Sequence, residues 1–156
     1  MAIGIGIIGL PQSGKTTVFN ALTHGRGGVS DPQISEKPTI GVAKVPDIRL
    51  DNLAKMFSPQ RVTPAEVRYV DIPSYLGATD RPWSIGGQML NTLQQTDALI
   101  LVLRSFDSPS VAHPEGSLNP HRDLSSLYME LAFSDLAILE RREERLNKEM
   151  RTNKAS

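Results

Sequence analysis

Cysteine is absent from the 156 residues, which excludes disulfides and thiolate metal sites. A surplus of charge is absent too. Seventeen basic and seventeen acidic side chains cancel, so bulk charge draws the chain neither to nucleic acid nor to an anionic membrane, although a local basic patch remains open. Long apolar runs are missing: away from the N-terminus the longest is Ala98 to Leu103, far short of the ~20 residues that cross a bilayer. The apolar, Gly-rich stretch from Ala2 to Leu10 has neither the basic flank nor the length of a secretory signal, and Lys15 follows soon after. No internal repeat is visible. With 39% hydrophobic and 22% charged residues, the expectation is a soluble, cytoplasmic protein long enough for one domain with a buried core.

What is present alternates between strand-like and helix-like segments. Ile3, Ile5, Ile7 and Ile8, ended by Gly9, read as a buried strand. Gly14 to Thr23 carries Val18, Phe19 and Leu22 at helical spacing. Gly25 to Pro38 has no apolar period and reads as a long, functional loop. A weak strand is expected from Gly41 to Val45, then a short helix through Leu50, Leu53, Ala54 and Phe57. Val67, Tyr69, Val70 and Ile72 mark a second strand, and Tyr75 to Ser84 reads as loop. Gly86 to Gln95 reads as helix, and Asp97 to Arg104 as a fully buried strand. This alternation predicts an α/β fold with a parallel-type sheet flanked by helices. Residues 1–118 form that domain. Ser105 to Gly116 reads as loop. Asn119-Pro120 then looks like a cap with proline in the first turn, opening a long charged helix over 119–156. A helix of that length needs a partner to cover its apolar stripe, so the first arm of a helical hairpin or coiled coil is expected.

Gly9-Leu10-Pro11-Gln12-Ser13-Gly14-Lys15-Thr16 fits the phosphate-binding pattern G-x-x-x-x-G-K-[ST] at every position. It follows a strand and opens a helix, the setting that chemistry requires. Glycine lets the backbone turn so that its N–H groups and the positive helix end hold a polyphosphate. Phosphate contacts are therefore expected from Pro11, Gln12, Ser13, Gly14, Lys15, Thr16 and Thr17. Lys15 reaches the outer phosphates, and the Thr16 hydroxyl faces Mg2+. Asp71, at the end of the second strong strand, has two readings: a strand-end cap, or the carboxylate that supports magnesium. Thr39 likewise is either a surface residue or a hydroxyl brought to magnesium when a third phosphate is present. The ligand class is ATP or GTP with magnesium.

Four blocks carry a resemblance beyond the loop. They are Gly6 to Thr23; Pro38-Thr39-Ile40-Gly41 with Val45 to Asp51; Val70-Asp71-Ile72-Pro73 with Thr96 to Ile100; and Arg104-Ser105-Phe106-Asp107 with His113 to Gly116 and Asn119 to Asp123. In these, over nearly its whole length, the chain resembles the Obg-like ATPase, or YchF, family of P-loop GTPases. The resemblance implies a nucleotide domain interrupted by a coiled coil, binding and hydrolysis of ATP or GTP, and association with the ribosome. It also implies phosphate contact for Lys15, and magnesium contact for Thr16, Thr39 and Asp71.

The chain departs from that pattern in three places. The family's D-x-x-G motif is here Asp71-Ile72-Pro73-Ser74, so serine stands where glycine senses the third phosphate, and Gly77 is out of register. Tyr75 follows, where many relatives of Ras carry a water-orienting glutamine; the Obg-like family also has a hydrophobic residue there. Hydrolysis is expected to be slow, with no general base identified and both His24 and His113 structural. A base-reading N-x-x-E or N-K-x-D segment is missing, since Asn153-Lys154-Ala155-Ser156 follows a charged helix and lacks the carboxylate. The chain is therefore expected to be a piece of a longer protein or a fragmentary gene product. A binding switch without turnover is the alternative function. A small-molecule kinase fits less well, because Arg141 and Arg142 lie in a charged helix instead of a lid.

Overall fold

The computed structural model describes residues 3–25, 38–76, 83–84 and 91–153. The chain divides into two compact units, Met1–Leu118 and Asn119–Ser156. The first contains β1 (Ile3–Gly9), α1 (Lys15–Leu22), β2 (Thr39–Lys44), α2 (Ile48–Phe57) and β3 (Glu66–Asp71). It continues with β4 (Tyr75–Leu76), β5 (Trp83–Ser84) and β6 (Ala98–Val102).

The main sheet runs β2-β3-β1-β6. β1 is parallel to β3 and to β6, whereas β2 is antiparallel to β3, so the sheet is mixed and its three parallel strands carry the loop. β1 is central because it tolerates burial on both faces: Ile7 and Ile8 are fully inaccessible. Gly41 admits a close neighbour. A Cβ on Gly41 would lie 2.5 Å from Thr23 Cγ2 and 3.0 Å from Phe19 Cζ, so the end of α1 presses directly on β2. Burying Phe19 there contributes on the order of 2–3 kcal/mol.

β6 corrects one expectation. Ala98 and Leu99 are exposed, and Ile100 to Val102 are only half-buried. The apolar run is not fully enclosed because, among the described residues, β6 pairs with β1 alone and forms an edge of the sheet. Residues read as loop after Ile72 include the short antiparallel pair β4–β5. The expected helix over 86–95 appears in the described residues as a helical segment over 91–93. Most of the long loop at 25–38 lies outside the described residues, as do Gly77 and 154–156.

α2 is capped by Asp47, whose side chain accepts from the Arg49 N–H at 2.9 Å and pairs with the Arg49 guanidinium. It buries none of its residues. Of the stripe read from the sequence, Leu50 and Ala54 are half-buried while Leu53 and Phe57 are exposed, and Ile48 and Met56 beside it are each about three-quarters exposed.

The second unit is α3 (Pro120–Asn153), ~51 Å long at 1.5 Å per residue. Asn119 Oδ1 accepts from the Arg122 N–H at 3.1 Å, and Pro120 takes the first helical position, where a missing N–H costs nothing. Leu136, Leu139, Leu146 and Met150 are exposed along its distal half. Arg145 and Glu149 form an i,i+4 pair at 3.5 Å.

Gly9 closes β1 where no side chain fits. A Cβ there would collide with the Val102 carbonyl oxygen and sit 2.7 Å from Ser13 Oγ. Gly9→Ala is expected to lower stability by about 1–3 kcal/mol through overpacking against backbone, read as a lower Tm in thermal denaturation.

Candidate functional site

The candidate site is built at the carboxyl end of β1. The register pairs Gly9 with Val102 of β6 and Ile7 with Asp71 of β3. From this edge the chain turns through Gln12, at φ 61°, and Gly14, at φ 98°. Glycine adopts the second without strain; Gln12 bears a cost there. α1 then begins with no side-chain cap and no acidic residue in its first turn. Its leading N–H groups, including those of Lys15, Thr16 and Thr17, have no acceptor in the preceding turn of helix. The leading N–H groups of the helix thus have no side-chain cap, the arrangement that accepts phosphate. Pro11 and Ser13 are buried, Gly14 and Thr16 half-buried, and Gln12 and Thr17 exposed.

Lys15 is 7% exposed. Its Nζ donates to Leu10 O at 2.8 Å, to Gly9 O at 3.2 Å and to Ser74 Oγ at 2.8 Å. Burial lowers its pKa to about 8, partly opposed by the attraction of Asp71. Thr16 Oγ1 donates to Asp71 Oδ2 at 2.8 Å. Burial raises the Asp71 pKa, while the Thr16 hydrogen bond and the Lys15 charge act the other way.

Asp71 Oδ1 and Ser13 Oγ are buried with no hydrogen-bond partner among the described residues. An unpartnered carboxylate oxygen in the interior is costly, and a cation removes that cost. The donor set suits magnesium: one carboxylate and a hydroxyl supply hard oxygens, leaving positions for phosphate and water. No cluster of three or more His, Cys, Asp or Glu side chains that could hold a metal occurs among the described residues. Thr39 stands opposite Asp71 in the β2–β3 register. Lys15 and Thr16, Thr39, and Asp71, three places far apart in sequence, therefore lie at one end of the sheet, where β1 and β3 finish and β2 begins.

Two residues acquire roles the sequence did not disclose. Ser74, read as a departure from a motif, accepts a hydrogen bond from Lys15 from outside the loop. Arg104, 4% exposed, donates to the carbonyls of Phe106, Ser108, Val111 and Ala112 and lies 5.2 Å from the Phe106 ring centroid. It organises the segment after β6; its place immediately beyond an apolar strand was the available signal. His24 is exposed, at φ 53°, just past α1. His113 Nδ1 accepts from the Glu115 N–H at 3.1 Å, a turn-forming contact.

A family model described as 50S ribosome-binding GTPase matches residues 4–141. The chain belongs to this family. Its curated relatives include proteins named ribosome-binding ATPase YchF, as the Obg-like resemblance implied. The chain is 38% identical to the one from Pasteurella multocida over 149 residues, covering 95% of this chain and 41% of the relative. It is 37% identical to the one from Escherichia coli O157:H7, with the same coverage. The chain thus spans about two-fifths of the length of these relatives. Its fold is similar to that of the YchF GTPase of Schizosaccharomyces pombe, with a TM-score of 0.67 and 32% identity over 94% of this chain and 39% of the other. The G domain of the T. maritima FeoB iron transporter, at 22% identity and TM-score 0.50, covers 85% of this chain and 66% of its own and shares the fold alone.

Because burial raises the Asp71 pKa, the folded state holds its proton more tightly than the unfolded chain. The contribution favours folding below the unfolded pKa and is lost as pH rises through the folded value. Asp71→Asn, which keeps an acceptor for Thr16, should therefore melt above the native chain at pH 7, with the difference shrinking toward pH 4. Thermal melts across that range in metal-free buffer check this.

Proposed function

We propose that this chain binds a nucleoside triphosphate with magnesium, as the nucleotide-holding part of a YchF-type protein that hydrolyses it slowly and associates with the ribosome in the cytoplasm. The observation that carries the reading is the Thr16–Asp71 hydrogen bond beside an Asp71 oxygen that no described residue satisfies. The uncapped start of α1 and the buried Lys15 ammonium supply the anion-binding half. The family membership supports the same reading.

In this site Pro11 to Thr17 would surround the phosphates, chiefly through backbone N–H groups. Lys15 Nζ would meet the outer phosphate oxygens. Thr16 and Asp71 would hold the metal, with Thr39 joining from β2. Bound there, magnesium supplies positive charge against the phosphate oxygens. The residues of the chain orient the terminal phosphoryl group, screen its charge as water attacks, and keep the leaving diphosphate in place. Among the described residues no side chain is poised as a general base. His113 is engaged in its turn, and His24 lies exposed just past α1. Slow turnover follows from that.

Relatives carry both names, ATPase in Pasteurella multocida and GTPase in Schizosaccharomyces pombe, so the proposal covers either nucleotide. A second reading, a binding switch without turnover, is favoured by one observation: Ser74 holds Lys15 where the family pattern has glycine. A kinase reading gains nothing from α3, where exposed Arg141 donates to the Ala137 carbonyl of its own helix.

Lys15→Ala should reduce ATP and GTP affinity about 100-fold or more, with the fold retained, because it removes a charge-assisted phosphate contact. Calorimetry reads the affinity and circular dichroism the fold; unchanged binding would place the nucleotide elsewhere. Single-turnover release of labelled γ-phosphate then separates hydrolysis from switching. Release faster than the protein-free rate is expected, and release at that rate with binding intact would leave only the switch.

A further inference from the structure

Lys15 has three ammonium hydrogens and three acceptors. Gly9 O and Leu10 O belong to the loop that carries it, and Ser74 Oγ comes from beyond β3, 59 residues away in sequence. At 7% exposure the ammonium has little room for a further partner. A phosphate oxygen that engages Lys15 must therefore replace an acceptor. The two carbonyls are fixed by the backbone that shapes the loop, with Ser13 N–H bonded to Leu10 O at 3.3 Å and Gly9 pressed against β6. The Ser74 hydroxyl is half-exposed and hangs on a single rotatable bond after Pro73. It is the exchangeable one.

We propose that Ser74 is a latch on the phosphate-binding lysine: its hydroxyl occupies the Lys15 ammonium in the ligand-free chain and yields it to a phosphate oxygen when a polyphosphate binds. This deepens the nucleotide-binding reading and rests on it. Glycine at this position offers no hydroxyl, so the competition belongs to the serine. The free chain keeps its buried ammonium fully satisfied, and every polyphosphate must first displace an internal ligand. Lower affinity is the cost of a site that stays ordered when empty. Ser74 acts through Lys15 and is a positioning residue.

The test compares the native chain with Ser74→Ala and Ser74→Thr by calorimetry, using magnesium ATP, magnesium GTP and magnesium tripolyphosphate. Ser74→Ala should bind all three about 10- to 100-fold more tightly, the worth of one competing hydrogen bond to a charged group. The gain should be the same for tripolyphosphate, which has no base or sugar, because the competition is at phosphate. Ser74→Thr keeps the hydroxyl and should bind within about twofold of the native chain. Equal or weaker binding by Ser74→Ala would overturn the latch, as would equal tightening in both variants, which would trace the effect to loop packing. If the native chain binds and Ser74→Ala merely matches it, the latch alone falls. If none of the three proteins binds any probe, the nucleotide-binding reading falls and the latch with it.

Discussion

A buried ammonium must find acceptors, and the first unit is arranged to provide them for Lys15. Two come from the carbonyls that end β1 and open the loop, and the third from the segment that leaves β3. Each depends on a different part of the sheet. The loop carbonyls are aimed by the turn at Gln12 and Gly14. Ser74 is delivered because β3 runs parallel to β1 and ends beside it. A lysine stripped of water without these partners would be strongly destabilising. The site is therefore a structural constraint before it is a chemical one.

The neighbouring carboxylate shows the opposite bargain. Asp71 is pinned on one oxygen by Thr16 and left unsatisfied on the other. Folding tolerates this because Asp71 lies between strands on both sides, opposite Ile7 of β1 and Thr39 of β2, and its backbone is held by that pairing. Residues that lose stability in place of gaining it mark sites where an external group completes the structure. Lys15 and Asp71 together thus form a site with its cationic half satisfied and its anionic half waiting.

The second unit follows a simpler logic. Asn119 and Pro120 start α3, and nothing in the next 33 positions stops it. Its Leu136, Leu139, Leu146 and Met150 are exposed along the distal half. Among the described residues no helix is long and apolar enough to cross a membrane.

The phosphate loop was legible because its chemistry is local: eight consecutive residues contain the turn, the lysine and the hydroxyl. The strands around Ile7 and Val70 were legible from their apolar patterns, and the start of α3 from two residues. Other features were not. The apolar run at Ala98 to Val102 suggested full burial, but exposure depends on whether a strand has neighbours on both sides, and β6 has one among the described residues. The direction of β2 was hidden because a strand's residues do not encode which way its partner runs. The Ser74–Lys15 bond spans 59 residues and could not be seen from either end. What the sequence determined by itself was every feature set within one turn or one strand of backbone. Only the tertiary structure decided which distant groups share the edge of β1, because that follows from strand order and register, and these are settled by packing across the whole sheet.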